Sequence, residues 1–359
     1  MRHLPAFLIA FTLAAIATLG AQSAGKYSTE PPAGWKAPRT ADGKPDLQGV
    51  WGNNSVTPMT RPRQWKDRTT ITDAEVEELK TFLARSVDQG GDAIFGNLVQ
   101  MALDAKDKGE FKQRSYDPTT GNYNQFWMAD REWDNRTSLI TDPPDGQFPA
   151  LTPEAQARRA AAAARPRTRG RWDGPEDLPL TERCISYGAP RTSANYNSYV
   201  QIVQSPDTVV LLQEMIHDAR IVPMTNAPHL PKKIRQLHGD PRGRWDGDTL
   251  VVETTNYLNG FQGSTPDVKI TERYTRVSPE FINWEITVDD PATWVKPYTF
   301  MIRLKKAEGL IYEYACHEGN YGLANILSGA RMEDKTGVKT APTNIDQKVA
   351  VGEDGEEGN

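Results

Sequence analysis

The chain is poor in the residues that carry metal and redox chemistry. Of 359 residues only two are cysteines, Cys184 and Cys316, and five are histidines. No Cys-x-x-Cys-His string, no His-Glu-x-x-His, no phosphate-binding Gly-rich loop, no dinucleotide fingerprint and no Gly-x-Ser-x-Gly occurs. These absences weigh against c-type haem proteins, common zinc proteases, nucleotide enzymes and esterases of the α/β-hydrolase kind. An excess of positive charge is lacking too. The balance is 42 Lys+Arg against 47 Asp+Glu, net -5, which argues against nucleic-acid binding by phosphate neutralisation. Beyond residue 24 no apolar run approaches the ~20 residues of a membrane-spanning helix, so no membrane insertion is expected. With 28 Gly and 26 Pro, a helical bundle or long coiled coil is disfavoured, while 38% hydrophobic residues suffice for a folded core.

What is present begins with a compartment signal. Met1-Arg2-His3 is a short basic region, an apolar stretch runs from Ala6 to Leu19, and the small residues of Gly20-Ala21-Gln22-Ser23-Ala24 follow. This is the pattern of a secretory signal peptide cut near Ser23 or Ala24. It is too short to anchor the chain, and no Cys lies at the cut for lipid attachment. A periplasmic or secreted protein is expected. In an oxidising compartment two cysteines point to one disulfide, Cys184–Cys316, against the rival of two separate buried thiols.

Five stretches follow from the patterning: the signal peptide over 1–24, an irregular and helical segment over 25–150, an Ala/Arg-rich helix and linker over 151–185, a strand-rich domain over 186–332 and an acidic, disordered tail over 333–359. Within the second stretch, Trp35, Trp51 and Trp65 pin an irregular chain to a surface. Thr72-Asp73-Ala74-Glu75 is a capping box, with Val76, Leu79, Phe82 and Leu83 at helical spacing behind it. A second helix is expected over 94–103, and Pro153 opens a third. Six Arg between 158 and 171 read as a solvated helix end and linker rather than an anion-binding patch.

From about 197 the period becomes two. Strands are expected over 198–204, 208–213, 215–222, 249–256, 268–277, 281–289, 298–305 and 310–315, joined by short turns such as Ser205-Pro206-Asp207 and Asp246-Gly247. The clearest puts Ile282, Trp284, Ile286 and Val288 on one face and Asn283, Glu285, Thr287 and Asp289 on the other. Sequential strands with short joins form an antiparallel meander. The fold class is therefore mainly β: a lipocalin-like barrel or a strongly curved sheet, with the irregular and helical amino-terminal segment packed on it.

Several strings in the chain resemble a large family of uncharacterised exported bacterial proteins. They are Pro45-Asp46-Leu47-Gln48-Gly49-Val50-Trp51, Ile216-His217-Asp218-Ala219-Arg220-Ile221, the run from Gly243 to Asn256, and Tyr314-Ala315-Cys316-His317-Glu318-Gly319-Asn320-Tyr321. The resemblance covers most of the chain after the signal peptide and implies export. It implies no reaction, so the chemistry rests on the residues themselves.

The four histidines after the signal peptide, His217, His229, His238 and His317, all lie in the strand-rich part. In a regular strand His217 shares a face with Met215, Ala219 and Ile221 and points inward as a general base or as a core histidine. Asp218 and Arg220 share the other face, as an ion pair or with Arg220 holding a substrate anion. His317 and Glu318 follow the last expected strand, with Tyr321 beside them. We expect His217 and His317 to meet in one pocket, with Glu318 as a third catalytic group and Arg220, Tyr321 and His238 contacting substrate. His238 alone reads more simply as part of an exposed hairpin, and His229 as a loop residue. No compact ligand spacing exists among these residues, so no metal and no cofactor are assigned. Two functions fit: an exported enzyme doing cofactor-free acid–base chemistry on a small organic molecule, as lyase, isomerase or hydrolase, or a barrel that binds a small ligand without chemistry.

Overall fold

The computed structural model describes residues 25–87, 97–109, 131–164, 172–194 and 196–338. Residues 1–24, where a signal peptide is expected, most of the Arg-rich linker and the end of the acidic tail lie outside these residues. The fold is mainly β, with ten strands: β1 (Gly49–Gly52), β2 (Ile140–Asp142), β3 (Tyr199–Gln204), β4 (Thr208–Gln213), β5 (Ala219–Pro223), β6 (Asp240–Asp246), β7 (Thr249–Thr255), β8 (Lys269–Arg276), β9 (Phe281–Asp289) and β10 (Tyr298–Lys306). Neighbours are antiparallel in the order β5-β4-β3-β1-β10-β9-β8-β7-β6, with β2 added on β10. This path contains nine strands, an odd number, so its two ends run in the same direction. They meet through a single parallel bridge, Met224 to Gly243, which nearly closes the sheet into a barrel.

Two meanders, β3–β5 and β6–β10, carry the expected local pairing. The turn expected at Asp246-Gly247 is present, with Asp246 opposite Thr249 and Gly247 at φ +56, the left-handed conformation a two-residue hairpin needs. What joins the meanders is β1, inserted between β3 and β10 from the amino-terminal segment. Strand alternation fills the interior. Ile270, Glu272 and Tyr274 of β8, and Ile282, Trp284, Ile286 and Val288 of β9, are buried, with Trp51, Phe300 and Ile302 beside them.

Four α-helices of the described residues lie outside the sheet. In α1 (Asp73–Val87) the capping box forms as expected: Glu75 N–H donates to Thr72 Oγ1, and Thr72 N–H to Glu75 Oε2. Val76, Leu79 and Leu83 pack with α2 (Leu98–Lys108) and with Trp65 and Trp133 in a second, smaller core. Pro153 opens α3 (Pro153–Ala164), and Thr152 Oγ1 caps it by accepting from Ala155 N–H. The last helix, α4 (Tyr321–Thr336), lies mostly in the stretch expected to be strand-rich and ends inside the expected disordered tail, and Asn320 caps it. No helix among the described residues is long and apolar enough to cross a membrane.

Two expected strands need correction. The stretch 215–222 is broken: Met215–His217 forms a tight turn with Ile216 and His217 at positive φ, and β5 starts only at Ala219. The stretch 310–315 alternates like a strand but pairs with nothing in the sheet and runs as an extended arm. Its end is joined to the body by the Cys184–Cys316 disulfide, with Cα atoms 5.6 Å apart. Of the two cysteine readings, the structure carries the disulfide.

Candidate functional site

β5 enters the barrel with Arg220 pointing inward. Its guanidinium meets Glu272 of β8 in a two-pronged ion pair, Nη1 to Oε1 at 3.0 Å and Nη2 to Oε2 at 2.5 Å. Tyr274 Oη and Trp284 Nε1 also donate to Glu272 Oε1, at 2.7 and 3.2 Å, and Arg220 Nη2 reaches Thr254 Oγ1. All five side chains are buried, and the Tyr274 and Trp284 rings stack at 5.4 Å. Burial works against the charge on Arg220, but the Glu272 carboxylate outweighs it and holds the guanidinium protonated. The Tyr274 hydroxyl is pushed far up by burial and by the same carboxylate. So Arg220 is a buried cation of the barrel interior, with its guanidinium paired to Glu272. The neighbouring Tyr257 is itself buried, and burial pushes its hydroxyl well up.

Directly beyond Arg220, at the rim where β5 and β6 begin, lies a compact Ser–His–Asp cluster. Ser186 Oγ is 2.8 Å from Asp218 Oδ2 and 2.8 Å from His238 Nε2, and the last two atoms are 3.5 Å apart. Gly188 N–H donates to Ser186 Oγ and Tyr187 N–H to Asp218 Oδ2. Proton counting fixes the pattern. An ionised Asp218 only accepts, so the single Ser186 proton goes to it, and His238 Nε2–H donates to Ser186. The free lone pair is then on Nδ1, for which no protein partner exists among the described residues. Burial lowers the pKa of His238, Asp218 pulls it back up, and the Arg220 charge lowers it further, for a net decrease. The imidazole is therefore neutral near pH 7. Its folded value lies below the ~6.5 of an unfolded histidine, so the unfolded chain takes the proton first. The stability that His238 contributes is complete above about pH 6.5 and declines as pH falls below it.

The backbone beside this imidazole has no slack. Gly239, at φ +72, abuts β7. A Cβ there would sit 2.6 Å from Thr254 Cγ2, 2.7 Å from Thr255 O and 3.1 Å from Tyr257 Cζ. Gly239→Ala should cost about 1–3 kcal/mol from the left-handed backbone and the clash together, read by urea denaturation. It should also displace the His238 ring resonances, which a remote destabilising change would leave in place.

The rim continues along 187–198. Arg191 donates to the carbonyls of Tyr196 and Asn197, lies 4.8 Å over the Tyr187 ring, and is pushed down to about 10 by burial. Glu214, at the end of β4, is raised by burial. Among the described residues, Asn53 Oδ1, Arg191 Nε, Ser193 Oγ and Glu214 Oε2 are buried without hydrogen-bond partners. Next to Cys184, a cleft of about 410 Å³ opens between Thr181, Glu182, Tyr314, Ala315 and Asn320.

The expected constellation forms differently from the reading. His217 is exposed on the turn before β5, because the positive φ at Ile216 and His217 resets the alternation. His317, Glu318 and Tyr321 are exposed on the arm and at the start of α4, and none of them lines the cleft. His238 is half-buried at the start of β6 rather than on an exposed hairpin. Asp218 and Arg220 do share a side, but each has its own partner. Ser186 was not singled out in the sequence. It is legible only once the fold brings residues 186, 218 and 238 together. His229, expected in a loop, lies 3.1 Å from Asp240 and 3.4 Å from Glu253. Groups of three or more metal-ligating side chains are absent among the described residues. Compared with known protein families, curated proteins and solved structures, the chain matches nothing.

Proposed function

We propose that this protein is an exported enzyme of acid–base type, acting on a small organic molecule at the β5–β6 rim with His238 as its base. The single observation behind this is the Ser186–His238–Asp218 cluster. It holds a neutral imidazole by one nitrogen, and about a fifth of the side chain remains exposed. Nδ1 takes a proton from the substrate, and the imidazolium that forms is stabilised by Asp218 through Ser186. A serine-nucleophile reading fits less well. Ser186 is 2% exposed, and Asp218 sits on the same imidazole nitrogen as the serine, whereas a triad places its carboxylate on the other. Isomerisation or elimination is favoured over acyl transfer. Export is supported by the disulfide and by the resemblance to exported proteins.

Two measurements test the reading on the intact protein. Histidine NMR should give His238 a titration midpoint below 6.5, and a value at or above 6.5 counts against it. Small keto- and hydroxy-acids in deuterated buffer should exchange an acidic C–H, with the rate falling at least 100-fold in His238→Gln and staying unchanged in His217→Ala/His317→Ala. Equal rates in wild type and His238→Gln would end the proposal. A second reading, ligand binding without chemistry, is favoured by the cleft beside Cys184, whose volume lies in the range of small-molecule sites. It takes over if a ligand protects the Tyr314 and Asn320 region while no compound exchanges.

A further inference from the structure

After β10 the chain buries almost nothing. Of residues 307–338 only Ala330 is buried, and Leu310 and Tyr312 are 81% and 83% exposed, so these two apolar side chains supply no anchorage. Polar groups attach the arm. The Tyr312 amide faces the Glu214 carboxylate, and Tyr314 lies close enough to Arg191 to influence its charge. Asn320 Nδ2 donates to Glu182 O at 3.0 Å and touches Cys184 Sγ at 3.3 Å, while Arg331 donates to the carbonyls of Trp172 and Asp173. The one covalent attachment is Cys316 to Cys184, two residues before Ser186. A helix of α4's length, with Gly322 and Gly329 inside it and one buried residue, is marginal by itself. The barrel, in contrast, is held by its own ladders and core, none of which passes through the arm.

We propose that the Cys184–Cys316 disulfide is a latch: it holds residues 307–338 as a strap against the rim that carries Ser186 and Glu214, and a dithiol releases the strap while the barrel stays folded. The chemistry is a thiol–disulfide exchange. The dithiol gives two electrons and two protons, the S–S bond breaks to two thiols, and the dithiol closes to its own disulfide. Release exposes the Arg191–Glu214 side of the rim and frees the segment that positions Ser186. The inference stands whether or not the rim is catalytic.

The test is hydrogen exchange by mass spectrometry on the full chain, oxidised, dithiol-reduced, and as Cys316→Ser. The expected result is that amides of 307–338 exchange at least tenfold faster in the reduced and Cys316→Ser proteins, while those of β7–β10 are unchanged. Unchanged strap exchange would overturn the proposal. So would a loss of protection in β7–β10 equal to that of the strap, since the disulfide would then staple the whole fold. A second measurement does not depend on a variant. Cleavage of the oxidised protein at Lys306 or in the adjoining arm should leave a carboxy-terminal fragment that co-elutes with the barrel and dissociates on reduction. A fragment that stays bound after reduction would equally defeat the latch.

Discussion

Glu272→Gln should lower the stability of the barrel by roughly 3–5 kcal/mol, a large share of the ~5–15 kcal/mol by which a domain is folded. The reason is what remains behind. Glutamine preserves shape but leaves the Arg220 guanidinium, 3% exposed, as an uncompensated charge among Trp284, Tyr274 and Thr254. The carboxylate also takes the Tyr274 and Trp284 donors, so both lose an anionic acceptor. Urea denaturation should show the midpoint falling with little change in slope. The diagnostic comparison is the double variant Arg220→Met/Glu272→Leu. It removes both charges for apolar volume and should recover most of the loss, because an apolar replacement of a buried pair is often neutral or better. A cost below about 1 kcal/mol for Glu272→Gln would mean that water reaches the pair and that the barrel interior is not closed there.

Trp51→Ala should be as damaging, by about 3–5 kcal/mol, for a different reason. Trp51 is 0% exposed at the centre of β1, donates from Nε1 to Leu47 O at 2.8 Å, and lies under the Arg276 guanidinium at 5.4 Å. Emptying this site removes a large apolar side chain and loosens the strand that joins β3 to β10. Hydrogen exchange should show protection falling first in β3–β5, which have no other ladder to the β6–β10 meander. Loss confined to the β9–β10 hairpin would contradict β1's role as the connector.

Strands were legible where one face is buried and one is not. The expected stretches 208–213 and 281–289 coincide with β4 and β9, because Val209, Leu211 and Gln213, and Ile282 to Val288, alternate against solvated neighbours. β1 and β2 escaped because four and three residues, two of them Gly in β1, are too short to show a period. β6 escaped because Asp240-Pro241-Arg242-Gly243-Arg244 is polar on both faces; its burial at Gly243 exists because the Met224 side chain fills the space where a Cβ would be. The arm over 310–315 misled for the opposite reason: the alternation is present but no neighbouring strand is.

The site was legible in part. In the sequence His238 reads as part of an exposed hairpin from the charges around it, and Asp218 and Arg220 read as a same-face ion pair from the pleat. Met215, Ala219 and Ile221 made the His217 face look internal. In the structure Ile221 is 64% exposed, and Arg220 is inside because Glu272, fifty-two positions later, neutralises it. A buried charge is intelligible only with its partner, and that partner is a fact of topology. The same holds for Ser186, whose two neighbours, Asp218 and His238, lie just before β5 and β6.

The place of β1 also bears on the order in which this chain assumes its shape. β1 is the first of the ten strands in sequence, yet one of its partners, Lys305-Lys306 of β10, belongs to the last. The hairpins of β6–β10 involve only near neighbours in sequence and form early, whereas the barrel waits for two distant strands to find a third between them. A chain arranged this way leaves its sheet unfinished until its first and last strands have met.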